Sequence, residues 1–130
     1  MIPQLPPLPV RSASVLLVED ETIIRISLAE YLQTAGFDVH QARTGDDALQ
    51  LLLSGLAVDA VFTDVQMPGV LDGLELARWV RANRPLMHVL IASGRVNLEC
   101  AARELCDPRS QFIKPYGDAA IAQRLRALTH

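Results

Sequence analysis

Four side chains in this sequence could act together on a charged group. Glu19 and Asp20 follow the apolar run Val15 to Val18, Asp64 closes the stretch Val61-Phe62-Thr63, and Lys114 follows Gln111-Phe112-Ile113. An ionised carboxylate is costly to bury without a partner. An aspartate that closes a buried-looking strand is therefore either a turn former or a group kept for chemistry. If the strand ends lie side by side, three carboxylates gather there. Like charges at that range raise one another's pKa unless a cation neutralises them. Mg2+ suits such a cluster, because it takes oxygen ligands in octahedral geometry, keeps several waters and is held by one or two carboxylates plus phosphate oxygens. Neither histidine nor cysteine stands at these strand ends, which argues against zinc or copper. Lys114 would then serve as a point charge on a phosphoryl oxygen.

The elements that must position these groups alternate regularly. A continuous apolar run predicts a buried strand over residues 15–18, and further strands are expected over 37–42, 58–63, 87–92 and 111–113. Between them, helical periodicity predicts helices over 21–35, 45–54, 72–83, 96–106 and 118–129. On the first helix Ile24, Leu28, Leu32 and Ala35 are expected inward. On the second they are Ala48, Leu49, Leu52 and Leu53, and on the last Ile121, Leu125 and Leu128. Thr44 is a candidate N-cap, Gly36 and Gly55 are candidate C-caps, and Pro85 stops the third helix. Five βα units predict an α/β fold, a five-stranded parallel sheet covered by helices on both faces, which right-handed crossovers leave few ways to wind. Such sheets bind ligands beyond the carboxyl ends of the strands, where the strand order reverses.

Composition narrows the function classes. The chain has 130 residues, a formal net charge of −3, 50% hydrophobic and 21% charged residues. That fits one domain with an ordinary core and argues against direct nucleic-acid binding. No apolar run approaches the roughly 20 residues of a membrane span. Residues 1–12 form a Pro-rich leader, with Pro3, Pro6, Pro7 and Pro9, set apart from a domain over 13–130. Cys100 and Cys106 match no zinc or redox spacing and read as small helix residues, which fits a reducing, cytoplasmic setting. His40, His88 and His130 lie away from the carboxyl edge, and Trp79 is expected to be partly buried.

Taken in order, Val18-Glu19-Asp20, Thr63-Asp64-Val65-Gln66-Met67-Pro68-Gly69, Asp72-Gly73 and Lys114-Pro115 resemble the receiver domain of bacterial two-component response regulators. The resemblance runs from about Ser14 to Leu128, and it implies a doubly wound, five-stranded parallel sheet of order 2-1-3-4-5, the flavodoxin-like (βα)5 receiver fold. It implies a phosphoprotein in signal transduction, not an enzyme in the ordinary sense, which assists its own phosphorylation and dephosphorylation. Asp64 would accept a phosphoryl group from a sensor histidine kinase or phosphotransfer protein. Mg2+ would be held by Glu19, Asp20, Asp64 and the backbone carbonyl of Gln66. Lys114 would contact the phosphoryl group, and the Lys114-Pro115 peptide bond would be cis. The switch would act on the face made by the fourth helix, fifth strand and fifth helix, where the family commonly carries homodimers or downstream partners. The sequence leaves open a stand-alone receiver and one cut from a longer protein with an output domain.

The resemblance breaks at two switch positions. The family usually has Thr or Ser at the end of the fourth strand, where this chain has Ala92. It usually has an aromatic three residues before the lysine, where this chain has Gln111. Ser93, the next residue after Ala92, is the candidate to supply both its N–H and its hydroxyl to the phosphoryl group. The alternative is that Ser93 only starts a Ser-Gly turn. The turn Gly69-Val70-Leu71-Asp72 is about one residue longer than the commonest version. A pseudo-receiver acting as a constitutive protein-interaction module is the alternative function, favoured by Ala92 and Gln111. A Mg2+-dependent phosphatase would want an aspartate two residues after the nucleophile, and that residue is Gln66. No G-x-x-x-x-G-K-[ST] or G-x-G-x-x-G follows any strand, which argues against a nucleotide-binding domain.

Overall fold

Five strands pair in parallel in the order β2-β1-β3-β4-β5. The computed structural model describes residues 12–64, 72–93, 111–113 and 117–129. The strands are β1 (Ser14–Val18), β2 (Asp38–Ala42), β3 (Ala60–Asp64), β4 (His88–Ser93) and β5 (Gln111–Ile113). Helices α1 (Thr22–Thr34), α2 (Gly45–Leu53) and α3 (Gly73–Asn83) follow the first three strands, and a C-terminal helix covers Asp118–Thr129. The helix expected over 96–106 lies outside the described residues, as do residues 1–11 of the leader, both cysteines and the Lys114-Pro115 bond.

Alternation along the central strands explains why both faces are covered. Leu16 and Val18 of β1, Val61 of β3 and Val89 and Ile91 of β4 pack with Ala48 and Leu52 of α2 and Leu74, Leu76, Ala77 and Val80 of α3. The residues between them, Val15, Leu17, Ala60, Phe62, Leu90 and Ala92, pack with Leu28, Ala29 and Leu32 of α1 and Ile121, Ala122 and Leu125 of the C-terminal helix. A strand that buries both sets of side chains must be apolar at every position, which is why these runs are continuous. β2 is an edge strand, and only Ala42 of its five residues is fully buried.

The caps form as expected. Thr44 Oγ1 accepts from the Asp47 N–H at 3.1 Å, and Gly36 and Gly55 end their helices at φ of 103° and 109°. Two inward expectations fail. Ile24 is 42% exposed and Leu53 is 63% exposed. On α1 the buried slot beside Leu28 belongs to Arg25, which turns Ile24 toward solvent. On α2 the buried stripe is Ala48 and Leu52, flanked by partly buried Leu49 and Leu51, and Leu53 falls beyond it. Strand ends also differ from the expected ones. Pairing of Asp64 with Ala92 carries β3 through Asp64, and pairing of Ser93 with Ile113 carries β4 through Ser93.

Candidate phosphoryl and metal site

The strand order reverses between β1 and β3, and the acidic residues lie at that reversal. Glu19 and Asp20 leave the carboxyl end of β1, and Asp64 is the last residue of β3. One carboxylate oxygen from each lies within 4.8 Å of the others. Glu19 and Asp64 are buried and Asp20 is half-buried. An octahedral Mg2+ shell with ligands at about 2.1 Å spans about 4.2 Å across. The three carboxylates therefore reach such a shell directly or through one of the waters that the ion keeps. The donor set is all oxygen, which fits Mg2+.

The turn that carries Glu19 and Asp20 is tightly specified. The Glu19 N–H donates to the Ala42 carbonyl on β2 at 3.1 Å, which extends the β1–β2 ladder by one bond. Glu19 Oε1 accepts from the Glu21 N–H at 3.2 Å, and the Glu19 carbonyl accepts from Arg25 Nη1 at 3.0 Å. Asp64 is held from its backbone. The Thr63 hydroxyl donates to the Asp64 carbonyl at 3.0 Å, and the first residue of α3, Gly73, lies against that same carbonyl. Asp72 caps α3 by accepting from the Glu75 N–H at 2.9 Å.

Burial pushes the Glu19 carboxyl from its ordinary 4.5 up to about 7. The Glu21 N–H works against the rise, while the charge of Asp64 and the hydrogen bond and charge of Asp20 add to it. The native chain then holds a proton that the unfolded chain has lost between pH 4.5 and about 7. Across that window the metal-free protein loses stability as pH rises. A divalent cation needs the ionised form, so its affinity should rise about tenfold per pH unit up to about 7 and level off above. Calorimetric Mg2+ titrations between about pH 6 and pH 8 check this; a flat affinity across that range would mean that Glu19 is already ionised at pH 6 or takes no part in binding the ion.

Of the expected site residues, the structure brings together Glu19, Asp20 and Asp64. Ala92, fully buried, is the ladder partner of Asp64, and Ser93 is one residue further along β4. Gln111 opens β5 opposite Ile91. Gln66 and Lys114 lie outside the described residues. His40 and His88 sit on β2 and at the amino end of β4, away from the acids, and Trp79 is partly buried on α3. Residue patterns alone missed Arg25 and Thr63. A polar residue inside an apolar helix stripe and a hydroxyl inside a strand were the available signals. Among the described residues no helix is long and apolar enough to cross a membrane.

Residues 15–126 match the family described as the response regulator receiver domain. The chain is 34% identical over 122 residues to response regulator MprA of Mycolicibacterium vanbaalenii, covering 93% of this chain and 51% of that protein. It is also 34% identical over 119 residues to sensor kinase CckA of Brucella abortus, covering 90% of this chain and 12% of that protein. The chain thus spans about half or less of the length of the curated relatives it matches. A solved response regulator receiver protein from Sinorhizobium medicae superposes with a TM-score of 0.78 at 31% identity, over 91% of this chain and 94% of that one.

Proposed function

The chain belongs to the response regulator receiver domain family, and we propose that Asp64 is its phosphoacceptor, supplied by a sensor histidine kinase or phosphotransfer protein. The domain relays a signal through phosphorylation and is not an enzyme in the ordinary sense. The observation that carries the assignment of Asp64 is its meeting with Glu19 and Asp20 at the reversal of strand order. A carboxylate oxygen of Asp64 attacks phosphorus, a P–O bond forms, the P–N bond to the donor histidine breaks, and the leaving imidazole takes a proton. Mg2+, when bound, neutralises the carboxylates and the oxygens of the transferring group. Glu19, Asp20, Asp64 and the Gln66 carbonyl hold it in this reading, and Lys114 pairs with the phosphoryl oxygens. Positioning on rigid strands supplies the remaining advantage.

The reading covers the whole of residues 13–130 as one (βα)5 receiver behind a Pro-rich leader, in a cytoplasmic setting. Phosphorylation adds about 1.5–2 units of negative charge at Asp64. That charge biases the face that carries β5 and the C-terminal helix, which meets a downstream protein, an output domain or a second copy of the chain and not nucleic acid. Ala92 favours a second reading, because the residue paired with Asp64 has no hydroxyl to follow the phosphoryl group. In that reading the chain is a pseudo-receiver that binds partners constitutively. Intact mass after incubation with Mg2+ and acetyl phosphate or phosphoramidate separates the two. Gain of one phosphoryl group supports the receiver, and no gain with either donor supports the constitutive module.

A further inference from the structure

Arg25 is buried on α1, at a position where helical periodicity calls for an apolar residue. Its Nη1 donates to the Glu19 carbonyl at 3.0 Å, and its Nε donates to Gln41 Oε1 on β2 at 3.2 Å. Both partners are neutral oxygens. Withdrawing a guanidinium from water toward neutral partners is costly. What such a group offers in return is a planar fork that fixes two acceptors in a set geometry.

The geometry so fixed is that of the acidic turn. The Glu19 carbonyl shares one planar peptide unit with the nitrogen of Asp20. Holding that carbonyl sets the direction in which Asp20 leaves the strand. The opposite side of Glu19 is already held, since its N–H donates to Ala42 on the same strand that carries Gln41. Arg25 thus ties the end of β1, the first turn of α1 and the end of β2 into one clasp. We propose that Arg25, braced by Gln41, is a positioning residue for the metal site, holding the Glu19–Asp20 peptide so that both carboxylates meet that of Asp64. The proposal rests on the Mg2+ reading above.

The test is Mg2+ affinity, measured by calorimetric titration of the full chain without any phosphodonor. Arg25→Met keeps the length and the apolar stem but removes the fork; Arg25→Lys keeps the charge but removes the fork. The Mg2+ Kd of Arg25→Met should rise about 10- to 100-fold, the usual cost of removing a group that orients a metal ligand. Arg25→Lys should recover only part of that loss, and full recovery would overturn the role of the fork. With acetyl phosphate the Mg2+ concentration for half-maximal phosphorylation should rise in step with Kd. The rate at saturating Mg2+ should stay within about threefold of the parent, a split that a general loss of structure would not produce. A Kd within about twofold of the parent in folded Arg25→Met overturns the proposal. If that variant does not fold, Gln41→Leu, at an exposed edge-strand position, carries the test. Weakening of about threefold or more supports the clasp, and parental affinity overturns it. A parent chain that binds no Mg2+ overturns the metal reading itself and the clasp with it, so the two failures are distinguishable.

Discussion

Asp64→Asn is expected to gain no phosphoryl group, with labelling below about 1% of the parent under Mg2+ and acetyl phosphate, because an amide is not a nucleophile at phosphorus. The substitution is nearly isosteric, so loss of folding does not account for such a result. Thermal melts make the point independently. In the metal-free parent the charge of Asp64 helps to keep Glu19 protonated, a sign that the ionised acids repel one another. Removing that charge should leave the metal-free variant at least as stable as the parent near neutral pH, while Mg2+ should stabilise it less. Intact mass and melting curves with and without Mg2+ read all three effects. Retained labelling in Asp64→Asn would move the acceptor to another residue. A companion variant, Ser93→Ala, addresses the missing hydroxyl at Ala92. If Ser93 supplies both its N–H and its hydroxyl, phosphorylation by acetyl phosphate should slow about tenfold, within the range for loss of one hydrogen bond to a charged group. An unchanged rate would reduce Ser93 to a turn former.

The contrast between Asp64 and Arg25 shows what a residue pattern can and cannot carry. Strands buried on two faces write themselves as apolar runs, and a carboxylate that ends such a run is conspicuous because burial is costly for it. Helices on both faces of a sheet with right-handed crossovers require one reversal of strand order, and the family resemblance puts it between β1 and β3, so Glu19, Asp20 and Asp64 could be assembled without coordinates. Helix orientation was less legible. Residues 22–26 read Thr-Ile-Ile-Arg-Ile, and periodicity turns an isoleucine inward. The buried slot goes to Arg25 because its fork meets a carbonyl at the end of β1 and an amide on β2, two acceptors far apart in sequence. The range expected for β3, 58–63, stops one residue short of Asp64, although the aspartate itself is legible as the residue that closes the strand. Its last residue is fixed by a partner on β4 and not by its own β-propensity.

Gly73→Ala should be the most damaging single-methyl change among the described residues. A Cβ at this position would collide with the Asp64 carbonyl oxygen and lie 2.6 Å from its carbon and 2.9 Å from Thr63 Oγ1. Relief requires either α3 or the end of β3 to move, and both are held. Leu74, Leu76, Ala77 and Val80 anchor α3 in the core, and Asp72 caps its first turn. Pairing with Ala92 and the Thr63 hydroxyl hold the Asp64 peptide. Overpacking against fixed backbone should cost about 2–3 kcal/mol. For a chain of this length that lowers Tm by roughly 10 °C. The functional loss should be larger than the stability loss implies, because displacing a nucleophile by about 1 Å can cost about a hundredfold in rate. Gly36→Ala is the matched control. It strains a left-handed helix cap at φ of 103°, with no atom within 4 Å of the added methyl. That variant should lose about 1 kcal/mol yet phosphorylate at the parental rate when folded. Equal loss of phosphorylation in both variants would mean that rate follows stability alone. A slow Gly73→Ala beside a normal Gly36→Ala would mean that the contact between α3 and the end of β3 sets the position of the Asp64 carboxylate.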